Sequence, residues 1–136
     1  MAELIPPFLT PKNQLSPLFE KIFTSIFKKY DLDQDGCLNK SELDAFALAT
    51  NGEQFEEESL KKILELVEKN EQGFLTLKGF LQMYACQALA DKDETWNDLK
   101  THGFSYDYIL EKMKRKEPIV PKHQIGRKNK SKKNHK

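Results

Sequence analysis

Between residues 19 and 30 apolar side chains recur at intervals of three and four, as Phe19, Ile22, Phe23, Ile26, Phe27 and Tyr30. That spacing gathers them on one stripe of an α-helix. Ser16 stands where a cap is wanted, Pro17 is tolerated in a first turn, and Glu20 puts an acid near the helix start, so the helix is predicted to start there. Leu43, Phe46 and Ala47 continue the period on a second helix, which Asn51 and Gly52 end. A third run, Leu60, Ile63, Leu64 and Val67, follows Ser59 and several glutamates; a fourth carries Phe80, Met83, Tyr84, Gln87 and Ala88. Asp93, Glu94 and Thr95 then open a short helix containing Trp96 and Leu99 and closing at His102 and Gly103. Ser105 caps a last one, with Tyr108, Ile109, Lys112 and Met113, which Pro118 stops. The pattern is that of an all-α protein.

The two ends of the chain break the helical period. Residues 1–14 combine Pro6, Pro7 and Pro11 with Leu4, Ile5, Phe8 and Leu9, an extended arm that needs an apolar surface to lie on. Its own domain is the expected surface; a groove otherwise used by a partner is the alternative. Residues 118–136 have few apolar side chains, Pro121, Gly126 and a dense lysine series, which predicts a disordered basic tail. The expected organisation is an arm at 1–14, a helical pair at 15–90, additional helices at 91–117 packed on that pair, and the tail at 118–136.

Between the first two helices lies Asp31 to Glu42, reading DLDQDGCLNKSE. Hard divalent cations take oxygen ligands, and Asp31, Asp33 and Asp35 alternate so that three carboxylates can converge on one point. Gly36 supplies the sharp turn at the sixth position. Cys37 is placed to give its backbone carbonyl at the seventh, Asn39 to reach the ion through water at the ninth, and Glu42 to close the shell with both carboxylate oxygens at the twelfth. Ca²⁺ is the expected ion, with Mg²⁺ as a competitor. The stretch closely resembles an EF-hand loop.

EF-hands occur in pairs, and Gly73 lies 37 residues after Gly36. Aligning the two glycines puts Glu68, Asn70, Gln72, Thr76 and Gly79 at the first, third, fifth, ninth and twelfth positions of a second loop. Gly79 stands where the bidentate carboxylate is needed, and two amides replace acids, so the charge that offsets dehydration of the ion is lost. The second loop is expected to bind little or nothing and to serve as a structural twin, with Leu75 meeting Leu38 in a short two-stranded bridge. The run LTLKGF from Leu75 to Phe80, with ETW at 94–96, Leu99 and Gly103, is similar to the second hand and following helix of mitochondrial Rho GTPases. That resemblance covers residues 75–105 and implies architecture alone: a helix beyond the second hand, packed back on the pair.

Charge adds an asymmetry that the formal net of +1 conceals. Residues 1–110 hold 11 Lys plus Arg against 19 Asp plus Glu, whereas residues 111–136 hold 11 against 2, an acidic body and a basic end. No aromatic side chain interleaves the tail lysines to stack on bases, which argues against nucleic acid; a nuclear address and a contact with the acidic body are other uses. Two cysteines, Cys37 and Cys86, make no disulfide framework and no CxxC spacing. With no signal-peptide pattern and no membrane-length apolar run, a soluble, cytoplasmic protein is expected. His102, His123 and His135 are isolated from any triad or zinc pattern, and GxxxxGK[ST] does not occur, so an enzyme is the poorest fit. The expected function is a calcium-binding regulatory or adaptor protein with a protein or peptide partner. Phe23, Phe27, Phe46, Met83 and Tyr84 are the side chains that an opening switch would expose, and their ordinary use is core. A constitutive adaptor with one fold-stabilising ion, and a simple buffer, are the alternatives.

Overall fold

A computed structural model of the chain describes residues 5–121. Six helices and one small sheet appear in the order α1 (Pro17–Tyr30), β1 (Cys37–Leu38), α2 (Lys40–Asn51), α3 (Glu57–Leu66), β2 (Leu75–Thr76), α4 (Leu77–Ala90), α5 (Lys92–Thr101) and α6 (Tyr106–Arg115). The all-α expectation holds. β1 and β2 pair antiparallel, Leu38 opposite Leu75 and Cys37 opposite Thr76, which is the expected bridge between the loops. Both leucines are almost fully buried, so the bridge is part of the core as well as a backbone tie.

The helical stripes meet through aromatic rings. Phe27 of α1 and Phe46 of α2 both pack edge-on against Phe80 of α4, at centroid distances of 5.4 and 5.2 Å. Phe23 stacks on Tyr84 at 4.2 Å. Each of these side chains is buried, and each phenylalanine contributes about 1.5–3 kcal/mol by leaving water. Four of the five side chains named above as candidates for an exposed surface, Phe23, Phe27, Phe46 and Tyr84, are core; Met83 is half-buried against it.

α5 packs against both α4 and α2, with Leu99 fully buried, and Phe104 and Ile109 follow it into the same interior. Two polar contacts fix it. Asp98 Oδ2 accepts from the Tyr84 hydroxyl at 2.9 Å and from Gln87 Nε2 at 3.0 Å, tying α5 to α4. One turn later His102 Nε2 meets Thr50 Oγ1 at 2.7 Å, tying the end of α5 to α2. The cleft between the exiting helices of the two loops is therefore filled by the chain itself.

The arm lies on its own domain. Ile5, Phe8 and Leu15 are buried, and Phe8 sits between Phe19 and Trp96 at 4.6 and 4.9 Å. Ser16 departs from the expected capping role: its side chain makes no cap bond, and its hydroxyl donates instead to the Pro7 carbonyl at 2.8 Å. Pro17 has no N–H to satisfy, which lowers the demand for a cap and frees that hydroxyl to hold the arm.

At the other end, α6 closes on Lys116 in the left-handed conformation, φ 56°. Residues just beyond it remain attached: Tyr108 donates its hydroxyl to the Val120 carbonyl at 2.6 Å, and Ile119 packs on the core. Residues 122–136 of the expected basic tail lie outside the described residues. Among the described residues no helix is long and apolar enough to cross a membrane.

Candidate metal centre

α1 runs out at Tyr30, and the N–H of Asp31 still donates to the Phe27 carbonyl at 3.0 Å, so the first loop carboxylate is set by the last turn of a helix. The chain then needs left-handed backbone at Gln34 (φ 56°) and Gly36 (φ 84°) to turn back on itself. Gly36 meets that need without a Cβ penalty. α2 begins with a reciprocal cap: the Asn39 side chain accepts from the Glu42 N–H at 2.8 Å, while Glu42 Oε1 accepts from the Asn39 N–H at 2.9 Å. Asn39 thus orients Glu42 before any ion is considered.

The folded loop gathers four carboxylates. One oxygen from each of Asp31, Asp33, Asp35 and Glu42 lies within 4.8 Å of the others. Oxygens on opposite sides of a calcium ion stand about 5 Å apart at its usual bond lengths, so the cluster has the dimension of a coordination shell. The donor chemistry fits as well, since hard oxygen ligands are what Ca²⁺ and Mg²⁺ take. Asp31 and Glu42 are buried and Asp33 and Asp35 face solvent, giving the site a fixed floor and an open mouth.

Backbone donors aim these oxygens. Asp31 Oδ2 accepts from the Gly36 N–H at 2.9 Å, Asp35 Oδ1 from the Cys37 N–H at 3.0 Å, and Glu42 Oε2 from the Leu32 N–H at 2.9 Å. Glu42 therefore already reaches across to the start of the loop. The carboxyls do not share the site comfortably: lost hydration, the shared hydrogen bond with Asp35 and repulsion from Asp35 and Glu42 push Asp33 above the usual carboxylate range. The Cys37 N–H holds Asp35 below it. A bound cation relieves that repulsion.

The other two sequence-derived positions take different roles. Cys37 lies in β1, its thiol buried and pushed upward by burial, with Sγ accepting from Asn70 Nδ2 of the second loop at 3.4 Å. Its backbone carbonyl and the water-borne contribution of Asn39 belong to the ligand shell as a proposal, beside the four carboxylates that the fold brings together.

The second loop is built on the same plan and has closed. Asn70 Oδ1 accepts from the backbone N–H of Gln72 and of Phe74, both at 2.9 Å, taking over the organising role of a loop carboxylate. Lys69 bridges to Leu75 within the loop itself. Thr76 caps α4 by accepting from the Gly79 N–H at 3.0 Å and donates to Glu68 Oε1 at 2.7 Å. A Cβ on Gly79 would overlap the Glu68 carbonyl oxygen and press on Leu75 Cδ1 at 2.9 Å. Sequence reasoning identified the missing ligand there, and the structure adds that its space is gone. The roles of His102 and Asp98 leave no such mark in the sequence, because one apolar stripe says nothing about which polar groups on the same helix find buried partners.

Comparison with known proteins agrees with this geometry. Residues 19–85 match the sequence pattern of the EF-hand domain pair. Mitochondrial Rho GTPase 1 of Cryptococcus neoformans var. neoformans is 31% identical over 105 residues, 75% of this chain and 15% of that protein. Mitochondrial Rho GTPase 2 of Arabidopsis thaliana is 34% identical over 84 residues, 62% of this chain and 13% of that protein. Mitochondrial Rho GTPase 1 of Caenorhabditis briggsae is 29% identical over 92 residues, 68% of this chain and 14% of that protein. The chain spans about one seventh of the length of these relatives.

Proposed function

Since the chain belongs through residues 19–85 to the EF-hand domain-pair family, a family of calcium-binding domains, we propose that it is a single-ion calcium-binding adaptor for a protein or peptide partner. Asp31, Asp33, Asp35 and Glu42, the Cys37 carbonyl and a water held by Asn39 make up the proposed shell. When bound, the ion supplies positive charge to a group of mutually repelling carboxylates. The protein's own residues do the rest: Asn39 orients Glu42, Gly36 turns the loop, and Leu38 with Leu75 joins it to its closed twin.

One observation carries the adaptor reading over an opening switch. The cleft between α2 and α4, where a switch would expose apolar surface, is occupied by α5 and sealed by Leu99 and by the Tyr84–Asp98 and Thr50–His102 contacts. On this reading the ion firms a surface that is already formed, and partner capture occurs on the outside of the assembled helices. The role is binding rather than catalysis, in the cytoplasm, and the nucleotide chemistry in the relatives' name is not carried over. Calorimetry with calcium tests the first half: one site per chain is expected, and two sites of similar affinity would contradict it. Trp96 emission and an apolar dye test the second, since a large gain in dye binding on adding calcium would favour the switch.

A further inference from the structure

His102 touches both flanks of the metal loop. Its ring lies flat on Phe46, 5.6 Å between centroids and 4° between planes, and stands edge-on to Tyr30 at 5.8 Å. Tyr30 is the residue before Asp31, and Phe46 is one helical turn after Glu42. Tyr30 and Phe46 in turn meet each other at 5.6 Å. One further turn along α2, Thr50 Oγ1 donates to the Phe46 carbonyl at 2.7 Å, so its 2.7 Å contact with His102 requires Nε2–H to donate. The imidazole is 3% exposed, fixed by a stack, an edge contact and a directional hydrogen bond.

We infer that His102 is a positioning residue for the calcium site, through which docking of α5 sets the separation of the first and twelfth ligands. This rests on the proposal that the first loop binds the ion. The α2 pose that His102 grips is the one in which Glu42 Oε2 already accepts from the Leu32 N–H across the loop. Docking of α5 and the ligand-ready loop are therefore features of one conformation and favour each other. If α5 loosens, the fraction of molecules with Glu42 in place falls, and apparent affinity falls by the same factor. By reciprocity, calcium must tighten α5.

The test uses the full chain with His102→Ala, Thr50→Val and, as a control, Ile109→Ala, which removes a fully buried side chain on α6. Calcium titration by calorimetry is expected to show Kd raised about fivefold or more in His102→Ala and by a smaller factor in Thr50→Val, with Ile109→Ala within about twofold of the native chain. Hydrogen exchange should show the α5 amides gaining protection on calcium addition in the native chain and losing that gain in His102→Ala. Kd values within twofold of native in both test variants would overturn the inference, as would equal weakening in the control. Thr50→Val decides the matter if His102→Ala fails to fold. Absence of calcium uptake by the native chain is a different result: it would remove the single-ion reading and this inference with it.

Discussion

The Glu68 carbonyl oxygen occupies the space that a Cβ on Gly79 would need, so the first and twelfth positions of the second loop close on each other through backbone. In the first loop the same two positions, Asp31 and Glu42, instead present carboxylates to a shared centre. Loss of a ligand and loss of the space for it have gone together.

Gly79→Glu therefore does not restore a second site. Forcing the side chain in must displace the Glu68 peptide, at a cost of about 1–3 kcal/mol for overpacking. Urea unfolding should show that loss, and calorimetry should still find one calcium per chain. Uptake of two would mean that the loop reopens readily.

Glu42→Gln isolates the ligand from the helix start. Glutamine suits the third helical position of a capping box as well as glutamate does, so α2 keeps its cap. Calcium binding loses one carboxylate and should weaken on the order of tenfold or more, about 1.4 kcal/mol. Circular dichroism without calcium should be unchanged; a loss of helix there would assign the effect to the cap instead.

Asp98 gives a pH dependence. Burial holds its carboxyl above the usual range, against the opposing hydrogen bonds from Gln87 and Tyr84. A carboxyl whose folded pKa is raised contributes most stability below the unfolded pKa of about 4, and that contribution is lost as pH rises through the window between the two values. Asp98→Asn keeps an acceptor for both donors and removes the charge. Its stability relative to the native chain should rise as pH climbs above about 4. Denaturant midpoints across that range check it, and a flat difference would count against a strained ionised Asp98.

Phe8→Ala removes the ring between Phe19 and Trp96. A cost of about 3–5 kcal/mol is expected, together with a red shift of Trp96 emission as water reaches the indole. An unshifted spectrum would place the arm elsewhere in solution.

How legible the molecule was in its sequence differed from place to place. Periodicity at three and four marked the helices because Phe19, Ile22, Phe23, Ile26 and Phe27 are one face of one element. The clustering of Asp31, Asp33, Asp35 and Glu42 was readable because the turn around Gly36 gathers residues only a few positions apart. The Leu38–Leu75 pairing followed from the repeat of the two glycines. Ser16 misled, since its hydroxyl can accept from a first-turn N–H or donate elsewhere, and the acceptor it finds, the Pro7 carbonyl, depends on where the arm lies. Partners such as Thr50 and His102, 52 residues apart, are set by the crossing of α5 over α2, and no local pattern encodes a crossing.

The seat of Phe8 has a consequence for biosynthesis. Phe19 follows it closely, but Trp96 is made roughly 90 residues later, which at about 5–20 residues per second is an interval of several seconds. For that time Ile5 and Phe8 are sticky side chains with only half of their landing surface in existence. The segment around Phe8, made before α1, is thus among the last to find its place, a latch that shuts only after α5 has left the ribosome.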